Sequence, residues 1–239
     1  MKSKYILISS LLIALTFSSV QTNAATPTHI EKPIDLTTGL VAWYPFDGNA
    51  SDMSGNGNDG KVYGATIGDD RNGEAGKAYR FDGMKDYIDL GDKSQFDGRD
   101  SQTISLWLSI STFGQPSHGP EIRPVLSKWY SAPVGNSANR NSFFIGERGG
   151  LQYADFASET SNSPINSQYS VIFDNWMQWA FTFYNGEVST FLNGNELNST
   201  KLSTTSIQDS SESLLVGNWY KNYDSSYLTF HGSIDDIRI

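Results

Sequence analysis

The sequence predicts an all-β protein built as an antiparallel sandwich of two sheets. Short runs in which apolar and polar residues alternate are separated by turn residues along the chain. Aromatic residues make up 13% of the chain. No stretch beyond residue 38 keeps an apolar 3.6-residue period long enough for a substantial helix. Many short strands, regular turns and abundant aromatic residues are together typical of such a sandwich.

The first predicted strand places Ala42, Tyr44 and Phe46 on one face and Trp43 on the other. The clearest strand, 103–110, alternates strictly (TISLWLSI), and Asn185-Gly186 predicts a type I′ hairpin between strands 179–184 and 187–192. The remaining predicted strands are 78–81, 87–90, 125–129, 142–146, 151–156, 214–217 and 232–239. We expect the strand tryptophans to pack inside the sandwich: Trp43, Trp107, Trp176 and Trp179.

The N-terminal residues predict export. Lys2 and Lys4 precede a short apolar run at 6–17, and small residues precede a cleavage point at Ala24/Ala25. We therefore predict a cleaved signal peptide at 1–24, a flexible N-terminal arm at 25–38 and one domain at 39–239. The mature chain would be periplasmic or extracellular, without membrane insertion.

Charge and cysteine content narrow the function further. The chain carries a formal charge of −9, and without Lys2 and Lys4 it keeps 15 basic and 26 acidic residues, a charge of −11. An acidic surface repels phosphate backbones, so we predict no nucleic-acid partner. The absence of cysteine excludes a disulfide framework and thiol catalysis.

The loop that follows the first strand predicts a calcium site. It concentrates side-chain oxygens, which hard cations prefer as ligands, at Asp47, Asn49, Asp52, Ser54, Asn56 and Asn58. A second arrangement is the set Asp52, Ser54, Asn56 and Asn58, which copies the first half of an EF-hand loop, although its twelfth position is Tyr63 instead of Glu. Alternatively, these side chains cap turns by hydrogen-bonding their own backbone.

Several segments in order resemble the laminin-G-like (LamG-like) jelly rolls of the concanavalin A-like lectin/glucanase superfamily. They are GLVAWYPFDGNASDMSGNGNDG, GKAYRFDGMKDYIDLG, QTISLWLSI, NWMQWAFTF, FLNGNEL and HGSIDDIRI. The resemblance implies a jelly roll of two curved sheets with structural calcium near the first and last strands. On that pattern Asp47 and Asp235 would be carboxylate ligands and Asn49 would contribute an oxygen, with Asp52 completing the predicted metal set. Pairing of the two strands would independently bring these acidic residues together, and a cation would relieve their repulsion.

Two polar loops carry aromatic residues that are suited to stacking on sugar rings. The predicted carbohydrate contacts are Trp129, Tyr130, Trp219, Tyr220 and Tyr223. The alternative is that these rings fold back onto the edge of the core.

No catalytic pattern stands out. Glutamates are scattered singly, Gly-x-Ser-x-Gly is absent, and there are 3 histidines. Glu147 and Arg148 indicate either a polar site or a hairpin turn with solvated charges. We therefore predict a secreted, non-catalytic module that binds a glycan or a cell-surface partner. The alternatives are a glycan hydrolase or lyase of the same fold, and an adhesive protein that binds other proteins.

Overall fold

The computed structural model describes residues 37–97, 100–111, 122–129, 142–157, 162–202, 205–219, 221 and 229–239, with the backbone alone at 122, 153, 155–157 and 162–169. These residues form two antiparallel sheets, which confirms the predicted all-β fold. Within the described ranges the one helical element is a 3₁₀ turn at Ser94–Phe96.

The first sheet has eight strands in the order β13-β12-β11-β6-β15-β4-β3, with β1 paired to β15. Its strands are β1 (Trp43–Tyr44), β3 (Thr66–Gly68), β4 (Ala78–Asp82), β6 (Ser101–Ile110), β11 (Trp176–Tyr184), β12 (Glu187–Leu192), β13 (Asn195–Lys201) and β15 (His231–Arg238). The second sheet has seven strands in the order β10-β9-β8-β7-β14-β5-β2. Its strands are β2 (Lys61–Tyr63), β5 (Tyr87–Gly91), β7 (Ile122–Lys128), β8 (Phe143–Arg148), β9 (Leu151–Ala157), β10 (Asn162–Ser170) and β14 (Leu214–Val216).

One large apolar core lies between the sheets, and the alternation of β6 shows how the strands form it. Ile104, Leu106, Leu108 and Ile110 are buried in that core, while the residues between them face outward. The predicted hairpin is confirmed: Tyr184 pairs with Glu187. Asn185 and Gly186 have φ of 47° and 81°, as a type I′ turn requires.

The expectation that all four strand tryptophans pack inside the sandwich is wrong, whereas the predicted position of Trp43 on the opposite face from Ala42 and Tyr44 is confirmed. Trp179 is fully buried in the core. Trp43, Trp107 and Trp176 are half-buried on the outer face of the first sheet. Their positions alternate with core residues, and the outward rings of Trp43 and Trp107 pack on neighbouring arginine side chains instead.

The last strand, β15, joins both ends of the domain. Its first half pairs with β4, and its second half pairs with β1, where Trp43 is opposite Arg238. A bulge interrupts the pairing of β15 with β6 between Asp235 and Arg238. Because Ile234 and Ile237 both reach the core, the extra residue turns Asp235 and Asp236 outward. Asp236 lies in the left-handed region, at φ 48°.

Buried charges connect parts of the fold that lie far apart in sequence. The ammonium of Lys128, whose side chain is fully buried, donates to Asp92 Oδ1 (2.8 Å) and to the carbonyls of Ser210 (2.6 Å) and Glu212 (2.7 Å). Arg123 Nη1 donates to Glu147 Oε2 (2.6 Å), and Glu147 is 1% exposed. Residues 149–150 do form the predicted turn, but Glu147 is not a solvated charge.

Replacing Glu147 by alanine should lower the free energy of unfolding by about 3–5 kcal/mol, because the buried guanidinium of Arg123 then loses this carboxylate. Urea unfolding measures the change. Glu187→Ala, at an exposed position of β12, is the matched control and should change stability by about 0.5 kcal/mol or less. Equal effects of the two substitutions would contradict this assignment.

Candidate functional site

A charged cleft of about 230 Å³ opens where β1 meets β15. Two of the predicted metal ligands, Asp47 and Asp235, line it together. Its other charged residues are Asp70, Arg71, Glu74, Lys77, Asp236 and Arg238. Five carboxylates and three cationic groups give the cleft a formal charge of −2.

Each of the three cations in the cleft pairs with a carboxylate. Arg71 Nη1 donates to Asp235 Oδ2. Lys77 Nζ lies 3.0 Å from Asp47 Oδ1, and Arg238 Nε lies 3.1 Å from Asp236 Oδ1. Two of these ion pairs therefore connect the 69–77 segment to its neighbours in the cleft, one to β15 and one to the loop after β1, and the third lies within β15.

Two outward tryptophans support these pairs. The guanidinium of Arg238 lies 4.8 Å from the centre of the Trp43 ring, whose Nε1–H donates to Asp236 Oδ1 (2.7 Å). The guanidinium of Arg71 lies 4.8 Å from the centre of the Trp107 ring. Both contacts have cation–π geometry, which fixes long side chains that would otherwise move freely.

Asp235 is the most deeply buried carboxylate of the cleft, at 3% exposure. Burial raises its pKa to about 6, the guanidinium of Arg71 opposes this shift, and the carboxylate of Asp236 adds to it. One guanidinium therefore does not fully offset the cost of burying this charge.

The oxygen-rich loop after β1 hydrogen-bonds its own backbone. Asp52 Oδ1 accepts the N–H groups of Trp43 (3.0 Å) and Ser54 (2.9 Å), and Oδ2 accepts that of Asn58 (2.9 Å). Burial by itself would raise the pKa of Asp52, but these backbone donors outweigh burial and the pKa is lowered. Asn49 Oδ1 accepts the N–H of Ser51 (2.8 Å). These bonds are the turn capping that was the alternative to metal binding.

The side chains of the second predicted metal set also hydrogen-bond the backbone, but here three of them act as donors. Ser54 Oγ donates to the carbonyl of Val41 (3.2 Å), and the side-chain amides of Asn56 and Asn58 donate to it at 3.0 and 2.9 Å. The loop is thereby tied to the segment just before β1. Within the described ranges no three His, Cys, Asp or Glu side chains converge closely enough to hold a metal ion.

The cleft offers carboxylate oxygens, the ligand type that hard divalent cations prefer, and a formal charge of −2, but its inner carboxylates are already paired with cationic side chains. Asp47 and Asp235 face this cleft, whereas the side-chain oxygens of Asn49 and Asp52 already accept backbone N–H groups. In this structure Arg71 pairs with Asp235, and Lys77 pairs with Asp47.

A second candidate site lies on the outer face of the second sheet. Trp129 and Phe144 form a small apolar cluster apart from the main core, and Trp219 packs against it. The Phe144 and Trp219 rings lie 4.7 Å apart, and the carbonyl of Trp219 accepts a hydrogen bond from Ser127 Oγ (2.9 Å). Trp129 is 7% exposed, whereas Trp219 is only partly buried. Two of the predicted carbohydrate contacts thus share one cluster.

Some residues of both sites were missed by sequence reasoning or are not described. Tyr130, Tyr220 and Tyr223 lie outside the described residues. Phe144, Arg71 and Lys77 were not predicted as site residues. The alternation of Phe144 with the core residues Phe143 and Ile145 was the signal that could have placed it on the outer face.

Comparison with known proteins identifies the fold. The family model Laminin_G_3, described as concanavalin A-like lectin/glucanases superfamily, matches residues 81–239. No curated protein matches the chain. Among the described residues no helix is long and apolar enough to cross a membrane.

Three solved structures illustrate the likeness. Domain 4 of AbnA, a GH43 extracellular arabinanase from Geobacillus stearothermophilus in complex with arabinotriose, is 22% identical (TM-score 0.55; 83% of this chain, 90% of that one). The binding domain of Paraclostridial Mosquitocidal Protein 1 is 16% identical (TM-score 0.60; 85% and 49%). Trypanosoma rangeli sialidase is 14% identical (TM-score 0.54; 84% and 30%). The chain thus spans about half the length of the toxin domain and a third of the sialidase, and these low identities show the fold alone.

Replacing Asp52 by alanine should lower the free energy of unfolding by about 3 kcal/mol or more, because three backbone N–H groups lose their acceptor. Folding lowers the pKa of Asp52, so its ionised form stabilises the folded state. This contribution to stability is fully present above the ordinary carboxyl pKa. It is lost as the pH falls through the lower pKa of the folded state. The difference in free energy of unfolding between the unaltered protein and the Asp52→Ala variant should therefore narrow below about pH 4. Urea unfolding at several pH values measures it.

Asp100→Ala, at an exposed position, is the control and should change stability by about 0.5 kcal/mol or less. The loss at Asp52 should be the same with and without a chelator. A loss that appears only in the presence of calcium would show that Asp52 acts as a metal ligand instead.

Proposed function

The chain belongs to the Laminin_G_3 family of the concanavalin A-like lectin/glucanases superfamily, and from that premise we propose that it is an exported, non-catalytic module that binds glycans. The proposed binding surface is the Trp129–Phe144–Trp219 cluster on the outer face of the second sheet. The observation that carries the proposal is that Trp219 is only partly buried while its ring packs on Phe144 outside the core.

The chemistry of this surface supports a sugar ligand. An aromatic ring held from behind by other rings offers a rigid apolar face, onto which the C–H face of a sugar ring can stack. Trp129 and Phe144, which are nearly inaccessible, would support Trp219 without touching the ligand. Fold likeness points the same way, since a similar domain was solved with arabinotriose. A glycan is therefore the proposed partner, and a cell-surface protein is the alternative.

We also propose calcium as a structural cofactor at the charged cleft, with Asp47 and Asp235 as carboxylate ligands. The support is the formal charge of −2 and the supply of carboxylate oxygens. A bound ion would add positive charge beside Asp235, whose burial a single guanidinium does not fully offset.

Replacing Trp219 by alanine should weaken glycan binding at least tenfold, which corresponds to about 1.4 kcal/mol, because the stacking face is removed. A glycan array at millimolar calcium, containing arabinotriose and other neutral oligosaccharides, finds the ligand. Isothermal titration with the strongest binder then gives the affinity of each variant.

Trp176→Ala is the matched control, since Trp176 is a half-buried tryptophan on the outer face of the other sheet. It should leave affinity unchanged, and melting curves check that both variants stay folded. Undiminished binding by the Trp219 variant would rule out this surface. Failure of the intact domain to bind any glycan, together with capture of a surface protein, would favour the adhesive alternative.

Chelation should lower the melting temperature of the intact domain, because an ion that binds only the native state stabilises it. The stabilisation is about 2.7 kcal/mol when the free ion is at a hundredfold excess over its Kd. Scanning calorimetry in EDTA and in excess calcium tests this. Superimposable melting curves, together with the absence of calcium in elemental analysis, would show that the protein has no structural calcium ion.

A further inference from the structure

A second aromatic pair lies on the outer face of the second sheet, apart from the Trp129–Phe144–Trp219 cluster. Tyr63 of β2 is directly opposite Tyr87 of β5, and both side chains are half-buried. Their rings stack, with centres 4.6 Å apart and planes 13° from parallel. Because the next residue, Ile88, enters the core, Tyr87 faces away from the core. This pair therefore lies outside the core, as Phe144 and Trp219 do.

Tyr63 supports the Tyr87 ring from one side. β2 is the last strand of the second sheet, and the neighbour of β5 on its other side is β14. The ring face of Tyr87 that does not meet Tyr63 is therefore turned toward β14. Trp219 is supported in a similar way by Phe144. Such a ring offers a rigid apolar face for the C–H face of a sugar.

An ion pair links the two aromatic groups. Asp89 lies two residues after Tyr87 on the same face of β5, and Lys221 lies two residues after Trp219. Lys221 Nζ is 2.6 Å from Asp89 Oδ2, and the two side chains are 41% and 13% exposed. An ammonium donates hydrogen bonds and a carboxylate accepts them, so the pair can bind sugar hydroxyl groups of either polarity.

The separation of the two aromatic groups exceeds the length of one sugar ring. Tyr87 lies on β5, and Phe144, on which Trp219 packs, lies on β8, with β14 and β7 between them. Three spacings between neighbouring strands, each about 4.8 Å, separate the two groups by about 14 Å. A ligand that contacts both must therefore contain several linked rings.

We propose that Tyr87, supported by Tyr63, is a second sugar subsite, and that the ligand is an oligosaccharide chain that runs across the strands from Trp219 to Tyr87. This inference rests on the proposed glycan surface at Trp219. Asp89 and Lys221 bind hydroxyl groups of the rings between the two aromatic contacts. Because the second contact forms within a chain that is already bound, affinity increases with chain length.

The affinity of the unaltered protein should rise at least tenfold from a monosaccharide to the hexasaccharide of the same series. Isothermal titration with arabino-, xylo- and cello-oligosaccharides of one to six units measures this rise. Tyr87→Ala should remove most of it, because the second stacking face is lost. Tyr87→Phe should keep it, because the ring remains. Tyr87→Leu, which lacks the ring but keeps an apolar side chain, replaces the alanine variant if that variant does not fold.

Tyr184→Ala is the matched control, since Tyr184 is a tyrosine of the other sheet, at the end of β11, and is 71% exposed. It should bind each series as the unaltered protein does, and melting curves check that all variants are folded. If Trp219→Ala loses binding but Tyr87→Ala binds the hexasaccharide normally, the second subsite is wrong and the glycan surface stands. An affinity that does not rise with chain length also contradicts the second subsite. If no member of any series binds, both proposals fail.

Discussion

The pairing of β1 with the second half of β15 is the constraint on which the rest of the molecule depends. It brings residues near the two ends of the domain together, with Trp43 opposite Arg238. The bulge beside it lets Ile234 and Ile237 enter the core while Asp235 and Asp236 face outward. The charged cleft is therefore a consequence of how the sandwich is closed, and its chemistry is tied to the stability of the fold.

Buried charged side chains connect distant segments of this fold, as disulfides do in many exported proteins. The chain has no cysteine, and buried charges join distant segments instead. Lys128 connects β7 to the carbonyls of Ser210 and Glu212, and Asp52 organises the loop after β1. An acidic, asparagine-rich loop thus has a structural purpose whether or not an ion binds next to it, and composition alone does not separate the two roles.

The sequence predicted the central strands, because alternation over many residues reveals which face of a strand is buried. The pairing of the first and last strands came instead from the resemblance to laminin-G-like jelly rolls. Sequence reasoning missed β2, β3, β10 and β13, which are the first and last strands in the order of each sheet. Edge strands are short or polar, as β10 (NSPINSQYS) and β13 (NELNSTK) are, and so lack that alternation. Alternation also shows which face of a strand points outward, but it does not show which side chains cover that face. The contacts of Arg71 with Trp107 and Asp235 could therefore not be predicted from the sequence.

Engineered disulfides test the closure of the sandwich most directly, since the chain has no cysteine of its own. Positions 43 and 238 are directly opposite. Because opposite residues of antiparallel strands have Cα atoms about 4.5–5.5 Å apart, which suits a disulfide, Trp43→Cys combined with Arg238→Cys should cross-link on mild oxidation. Trp43→Cys combined with Ile237→Cys should not, because Ile237 points into the core. Cross-linking of the first pair alone, read by mass spectrometry, is the predicted result. Equal cross-linking of both pairs, or none in the first, would contradict the pairing on which the cleft depends.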